Sequence, residues 1–239
     1  MALLAARKRV CRRTPRGLSD ARRGERPRTH QCCASCAPNG QTARHLHLGG
    51  GATVESADRD AEQLLCRIVR HRETLRHSLA TRDLAYALAI ACGCDSTRAR
   101  AIACAALLHD VGKGTLPESL LDAPRRLTHD ETLLLRTHAQ AGARIAAHAG
   151  IDSEICQWIG LHHERPDGSG YEGIRGDAIP TEARIVIVAD VWEATGAQRP
   201  YSPYHTRSER WRILIETGCA REVAALHTLL EEDVLARVG

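Results

Sequence analysis

The stretch Leu107-Leu108-His109-Asp110-Val111-Gly112-Lys113 closes an apolar run that begins at Ala101 and is typical of a buried helix. A histidine followed directly by an aspartate places two ligands for divalent metals on adjacent residues. Burying such a pair is costly unless something compensates for the lost hydration. Lys113 shares their helical face. The chain uses arginine almost everywhere, since Lys8 is the only other lysine among the 33 Lys and Arg residues, so a lysine at this position stands out. The stretch therefore indicates either a metal site or a polar helix end.

The composition is that of a folded protein whose core has an unusual make-up. The 239 residues are 43% hydrophobic and include no Phe, so the core must be built from Leu, Ile, Val and Ala, which favours close-packed helices. No run of about 18 apolar residues is present, so we expect no transmembrane helix. The stretch at residues 1–6 is too short for a secretory signal. Ten scattered cysteines fit reduced thiols and predict a cytoplasmic location.

The sequence divides at about residue 52. Residues 1–50 carry 11 Lys and Arg against two acidic residues, so the rest of the chain is net acidic and is not expected to bind DNA. We expect residues 1–52, which are basic and rich in Cys and Arg, to be disordered, and residues 53–239 to form one domain. Two alternatives for the first segment stay open: a zinc site around Cys32, Cys33 and Cys36, or a basic patch for nucleic acid or acidic lipid.

The pattern of the second segment predicts an all-α bundle. We expect helices at 56–70, 73–92, 96–110, 128–149 in one or two pieces, 152–163, 180–197, 207–217 and 220–237, with Ser96 capping the third. Loops are expected at 111–127 and 164–179. Thr128 with Glu131, and Thr206 with Glu209, have the spacing of capping boxes. The run Arg184–Val188 resembles a strand, but apolar residues recur around it at helical spacing and no second strand is available.

Several polar residues interrupt these predicted helices. Each has a plain explanation as a surface or helix-end residue, but together with His109 and Asp110 they form a set of nitrogen and oxygen ligands without cysteine. Such a set favours iron or manganese over a thiolate zinc site. So many ligands around one carboxylate imply at least two metals, an arrangement that proteins use to hydrolyse phosphodiesters. The additional residues are Glu73, His77, His138, His162, His163 and Asp190.

The order of these residues resembles the HD-GYP family, bacterial phosphohydrolases of the HD superfamily that degrade cyclic di-GMP. The resemblance covers about residues 60–236. It rests on His77, His109-Asp110-Val-Gly-Lys113, His138, His162-His163-Glu-Arg-Pro-Asp-Gly-Ser-Gly-Tyr171, Ala189-Asp190-Val191 and Arg199-Pro-Tyr201. It implies an HD-type helical bundle with a C-terminal helical extension.

The resemblance also implies a role for each site residue. His77, His109, Asp110 and Asp190 would hold one metal, and Asp110 would bridge to a second metal. The ligands of that second metal would be His138, His162 and His163. Glu73 stands where some members carry a ligand for a third metal. Lys113 would hold or protonate a phosphate oxygen, and Arg199 and Tyr171 would contact the substrate.

Two positions depart from the family pattern. Gly170-Tyr171-Glu172 stands where the family has Gly-Tyr-Pro, which frees the backbone and adds a negative charge. Ser202 stands where a basic residue often follows Arg-Pro-Tyr, which removes one possible phosphate contact. We expect these changes to alter substrate affinity or preference more than the chemistry.

Three functions remain open at this point. The first is a phosphodiesterase that uses two or three divalent metals to convert cyclic di-GMP to linear pGpG and on to GMP. The second is a non-catalytic module that binds the dinucleotide or a GGDEF-type diguanylate cyclase. The third is an HD phosphohydrolase acting on another nucleotide. A homodimer is compatible with each of them.

Overall fold

The computed structural model describes residues 54–196 and 205–238, with side chains described over 59–196 and 205–231. These residues form an all-α bundle, as predicted, and within them no β-strand occurs apart from an isolated bridge between Asp167 and Arg175. The predicted disorder of residues 1–52 lies outside the described residues. The helices are α1 (Val54–Ile68), α2 (Arg72–Ala91), α3 (Ser96–Leu108), α4 (Glu118–Leu121), α5 (His129–Arg136), α6 (His138–His148), α7 (Ser153–Leu161), α8 (Thr181–Gly196), α9 (Arg207–Ile215) and α10 (Ala220–Val238).

Helix α3 lies at the centre of the bundle, in contact with α1, α2, α7 and α8. Its buried residues are small or aliphatic: Ala99, Ile102, Ala103, Ala105, Ala106, Leu107 and Leu108. Alanine allows neighbouring helices to approach closely, and the interior excludes water without any Phe. The last turn of α3 therefore delivers the residues that follow it, His109 and Asp110, into the interior of the bundle, where both are 1% exposed.

Local signals explain most of the helix boundaries. Both capping boxes are present, at Thr128 with Glu131 and at Thr206 with Glu209. Ser96 is not the cap that we expected. Asp95 is the N-cap, and its carboxylate accepts hydrogen bonds of 2.8 Å from the N–H groups of Thr97 and Arg98. A carboxylate one residue earlier reaches two of the four free N–H groups of the first turn, and its charge also suits that end of the helix.

One region differs in detail from the predicted boundaries, and two others agree with them. The segment expected as a loop over 111–127 contains a 3-10 helix (Val111–Thr115) and the short helix α4. The helix over 128–149, which was expected in one or two pieces, consists of two helices, α5 and α6, which meet at Thr137. The ambiguous run Arg184–Val188 is helical, as predicted, and lies inside α8. No helix of the described residues is long and apolar enough to cross a membrane.

Candidate metal centre

Asp110 lies at the junction between α3 and the 3-10 helix that follows. Its backbone angles, φ −98° and ψ 6°, fall in the sparsely populated bridge region in which many active-site residues are found. The next turn passes directly against the start of α6. A Cβ added at Gly112 would lie 2.0 Å from the carbonyl oxygen of His138, so only glycine permits this approach. The close packing brings the first residue of α6 beside Asp110.

Three buried histidines are oriented in the same way by backbone carbonyls. In each, Nδ1 is hydrogen-bonded to the carbonyl oxygen of the residue three positions earlier. The pairs are His109 with Ala106 at 2.7 Å, His138 with Leu135 at 2.5 Å and His162 with Ile159 at 2.7 Å. A carbonyl oxygen can only accept, so Nδ1 must carry the proton and Nε2 must present a lone pair. A backbone partner on one ring nitrogen is a common way to orient a metal-ligating histidine.

Two groups of ligand atoms lie beside Asp110. We call His77, His109 and Asp190 the first histidine group, and His138, His162 and His163 the second histidine group. Within each group the ligand atoms lie within 4.8 Å of one another. Oxygen Oδ2 of Asp110 is 3.4 Å from His109 Nε2, while Oδ1 is 3.2 Å from His138 Nε2. One carboxylate thus offers one oxygen to each group.

The atoms that converge here are not satisfied by hydrogen bonds. Within the described residues, His109 Nε2 and Asp110 Oδ1 are buried without a hydrogen-bond partner. The Nε2 atoms of His138 and His162 are 3.2 Å apart, and because both rings carry their protons on Nδ1, this contact joins two lone pairs. Buried acceptors that face one another are costly unless a cation lies among them. The donor set therefore fits divalent metal ions, which must be held by neutral histidine and ionised carboxylate.

Electrostatics keep these groups in their metal-binding forms. Burial raises the pKa of Asp110, but Lys113 and His109 outweigh it and hold that pKa well below its usual range. Burial lowers the pKa of His162 well below its usual value and that of His163 to about 3. At neutral pH the carboxylate is therefore charged while both imidazoles are neutral.

His77 differs from the other histidines because both of its ring nitrogens face carboxylates. Nδ1 is hydrogen-bonded to Glu193, and Nε2 lies 2.9 Å from Asp190 Oδ1. Burial lowers the pKa of His77, but the bonds to these two carboxylates raise it to about 9. The proton between Nε2 and Asp190 is the one that a metal bound to the first histidine group would displace.

The structure brings seven of the eight predicted ligands together and leaves Glu73 apart. The Glu73 side chain is 58% exposed and accepts a hydrogen bond from Arg76. The acid that contacts His77 Nδ1 is Glu193, which sequence reasoning missed. Its position three residues after Asp190 places it on the same face of α8, and that spacing was a usable signal.

Lys113 and Tyr171 lie at the edge of the cluster. The Lys113 ammonium donates to Asp110 Oδ2 at 2.5 Å, and its side chain is 22% exposed. The Tyr171 ring lies against His163, with ring centres 4.5 Å apart. Of the predicted substrate contacts, these two are therefore adjacent to the candidate ligands. Arg199 and Ser202 lie outside the described residues.

The loop that carries Tyr171 is tied to a buried acid, Glu164. Glu164 is 1% exposed. Its oxygens accept hydrogen bonds from the N–H groups of Glu172 at 2.8 Å and Ile174 at 2.9 Å. Gly170 packs so closely on Glu164 that an added Cβ would lie 2.5 Å from its Cα. The residue at 172 therefore does not free the loop as expected, because its N–H group binds Glu164.

Comparisons with known proteins agree with this geometry. A family model described as HD domain matches residues 61–219. The cyclic di-GMP phosphodiesterase response regulator RpfG of Xanthomonas campestris pv. campestris is 38% identical over 155 residues, which cover 62% of this chain and 40% of RpfG. The 3'3'-cGAMP-specific phosphodiesterase 1 of Vibrio cholerae serotype O1 is 35% identical over 150 residues, which cover 62% of this chain and 35% of that protein. The chain thus spans well under half the length of these relatives.

Solved structures share the fold at low sequence identity. The HDG"Y"P protein Bd1817 from Bdellovibrio bacteriovorus superposes with a TM-score of 0.57 and 20% identity, over 75% of this chain and 65% of Bd1817. The HD domain of the L. monocytogenes phosphodiesterase PgpH, in complex with cyclic-di-AMP, superposes with a TM-score of 0.54 and 19% identity, over 72% of this chain and 95% of that domain. These two structures support the helical architecture.

Proposed function

The chain belongs to the HD domain family, as the HD-GYP resemblance predicts, and on that premise we propose that it is a metal-dependent phosphodiesterase. We propose that it hydrolyses cyclic di-GMP to linear pGpG and, by a second cleavage, to GMP. Relatives with 35–38% identity carry the names of cyclic dinucleotide phosphodiesterases, which supports this substrate class.

One observation carries the proposal more than any other. Asp110 directs one oxygen toward each of two histidine groups, and the lone pairs of His109, His138 and His162 converge beside it. A structural carboxylate would be expected to have donors on both oxygens, whereas Asp110 Oδ1 has none among the described residues. Such an arrangement suits two cations that share one bridging carboxylate.

The residues divide the work as follows. The first histidine group and Asp110 Oδ2 would hold one divalent metal, and the second histidine group and Asp110 Oδ1 would hold the other. Metals held there would activate water and stabilise the charge that develops on the phosphate. Nitrogen and oxygen ligands favour iron or manganese. Lys113, already bonded to Asp110 and partly exposed, would donate to a phosphate oxygen, and Tyr171 would line the entrance beside His163.

Two alternatives have a specific observation behind them. The name of the V. cholerae relative makes 3'3'-cGAMP a second candidate substrate. The departures from the family pattern at Glu172 and Ser202 leave a non-catalytic binding module as the other alternative. Such a module, however, has no need for unpaired buried acceptors. A diguanylate cyclase partner, a homodimer, a third metal at Glu73 and a cytoplasmic location stay predictions.

The test is to purify the full chain without oxygen, measure its metals and incubate it with cyclic di-GMP or 3'3'-cGAMP. Two equivalents of iron or manganese with linear product from cyclic di-GMP are the expected result. Product from 3'3'-cGAMP alone would select the other substrate. Bound metal without product from either would favour the binding module, and a chain that binds no metal would refute the proposal.

A further inference from the structure

Arg136 lies at the rim of the candidate centre. It is the last residue of α5, two positions before His138. Its guanidinium carbon is 5.1 Å from the centre of the Tyr171 ring, which in turn is 4.5 Å from the ring centre of His163. These two distances place the guanidinium within about 10 Å of the His163 ring. Arg136, Tyr171 and His163 therefore form a column from the solvent to the second histidine group.

The guanidinium of Arg136 has no counter-ion in the part of the chain that the structure describes. Its side chain is exposed and, among the described residues, forms no ion pair or hydrogen bond. Two other cations of the described residues lie in the same region, and each already donates a hydrogen bond. Lys113 donates to Asp110, and Arg165 donates to the carbonyl oxygen of Glu164 at 2.7 Å. Among the described residues, Arg136 is thus a cation beside Tyr171 whose guanidinium makes no hydrogen bond or ion pair and is available to an anion.

Helix α5 is held in place by polar contacts and not by a buried face. None of its residues is buried. The capping box at Thr128 and a two-point ion pair between Arg125 and Glu131, with both contacts at 2.7 Å, fix its first turn. Its final turn carries Arg136 to the rim. Because the guanidinium lies over the face of Tyr171, the N–H groups at its edge stay available to donate.

We propose that Arg136 binds the second phosphate of the cyclic dinucleotide, the one that is not being cleaved. This inference rests on the proposed function. A cyclic dinucleotide carries two phosphodiesters with one negative charge each, and the two histidine groups can serve only one of them at a time. Arginine binds phosphate through paired N–H donors. The absence of a basic residue at Ser202 removes one other cation that could fill this role.

The test compares Arg136→Ala and Arg136→Lys with the control Arg144→Ala. Arg144 is also exposed but lies on α6. Each full-length variant is assayed with cyclic di-GMP, cyclic di-AMP and bis(p-nitrophenyl) phosphate, which has a single phosphodiester. Arg136→Ala should raise KM for both dinucleotides about 10- to 100-fold with kcat nearly unchanged. It should leave kcat/KM for bis(p-nitrophenyl) phosphate unchanged. Arg136→Lys should recover part of the loss, and Arg144→Ala should behave like the unaltered protein.

The possible outcomes separate the two proposals. If Arg136→Ala leaves KM for the dinucleotides unchanged, the role of Arg136 is overturned while the proposed function stands. An equal loss on all three substrates, or lower metal content, would mean that Arg136 supports the metal centre instead, which also overturns it. A loss confined to cyclic di-GMP would mean that Arg136 reads guanine and not phosphate. If the unaltered protein cleaves bis(p-nitrophenyl) phosphate but no cyclic dinucleotide, the proposed function fails and this inference fails with it.

Discussion

Replacing Glu172 with proline removes a hydrogen bond that exists only because this chain departs from the Gly-Tyr-Pro pattern. The N–H group of Glu172 donates to Glu164 Oε1 at 2.8 Å, and proline has no N–H group. The second bond to Glu164, from Ile174, would remain. The substitution therefore tests whether the backbone of residue 172 helps to fix the loop that carries Tyr171.

The expected loss follows from the burial of Glu164. A hydrogen bond to a charged group contributes about 1.5–3 kcal/mol, and the acceptor here is almost fully buried. Proline restricts the unfolded chain and can return about 0.4–1 kcal/mol. We therefore expect Glu172→Pro to lower the free energy of unfolding by about 1–2 kcal/mol. For a chain of this size the melting temperature should fall by about 2–8 °C.

Glu172→Ala is the matched control, because it keeps the N–H group and removes only the exposed carboxylate. Thermal unfolding of the unaltered protein and the two variants separates the backbone bond from the charge. With cyclic di-GMP, Glu172→Pro should change KM more than kcat, since Tyr171 lies on the loop and Asp110 does not. If Glu172→Pro is as stable as Glu172→Ala and has the same KM, the N–H group of residue 172 does not fix the loop.

Substitutions at three further positions test the centre itself. Asp110→Ala should abolish metal binding and turnover, as measured by metal analysis and product chromatography, and normal hydrolysis would refute the site assignment. Glu193→Ala should weaken manganese binding about 10- to 100-fold in a metal titration. Glu193→Gln keeps an acceptor for His77 and should lose less affinity. If Glu193→Ala binds manganese as tightly as the unaltered protein, Glu193 does not support the centre. Gly112→Ala should lower the free energy of unfolding by about 3 kcal/mol or more, because the new Cβ would meet the His138 carbonyl. An unchanged melting temperature would contradict this.

The sequence predicts those parts of the structure that depend on local chemistry. Thr128 and Thr206 cap their helices because each has a glutamate three residues later, and both boxes form as predicted. The helical state of Arg184–Val188 follows from spacing within α8 itself. Asp95 shows where local rules leave a choice. Two adjacent residues could each cap α3, and the charged one does so.

The sequence does not reveal which acid contacts a ligand on another helix. Glu73 and Glu193 each lie about one helical turn from a predicted ligand, His77 and Asp190 respectively. Helical spacing places both acids on suitable faces but does not state which face a neighbouring helix covers. The packing of α2 on α8 brings Glu193 to Nδ1 of His77, whereas Glu73 stays exposed beside Arg76. The selection is made by tertiary packing.

The buried acids can be distinguished by the partners of their oxygens. Glu164 accepts from two backbone N–H groups, so its charge is satisfied within the loop and no cation is needed. In the described part of the chain, Asp110 Oδ1 has no donor and faces imidazole lone pairs, which is the condition that a cation relieves. An unpaired oxygen alone is not sufficient. Glu222 Oε2 is also without a hydrogen-bond partner, yet among the described residues Glu222 belongs to no group of potential metal ligands. The case for a metal centre at Asp110 therefore depends on unpaired acceptors and converging ligands together.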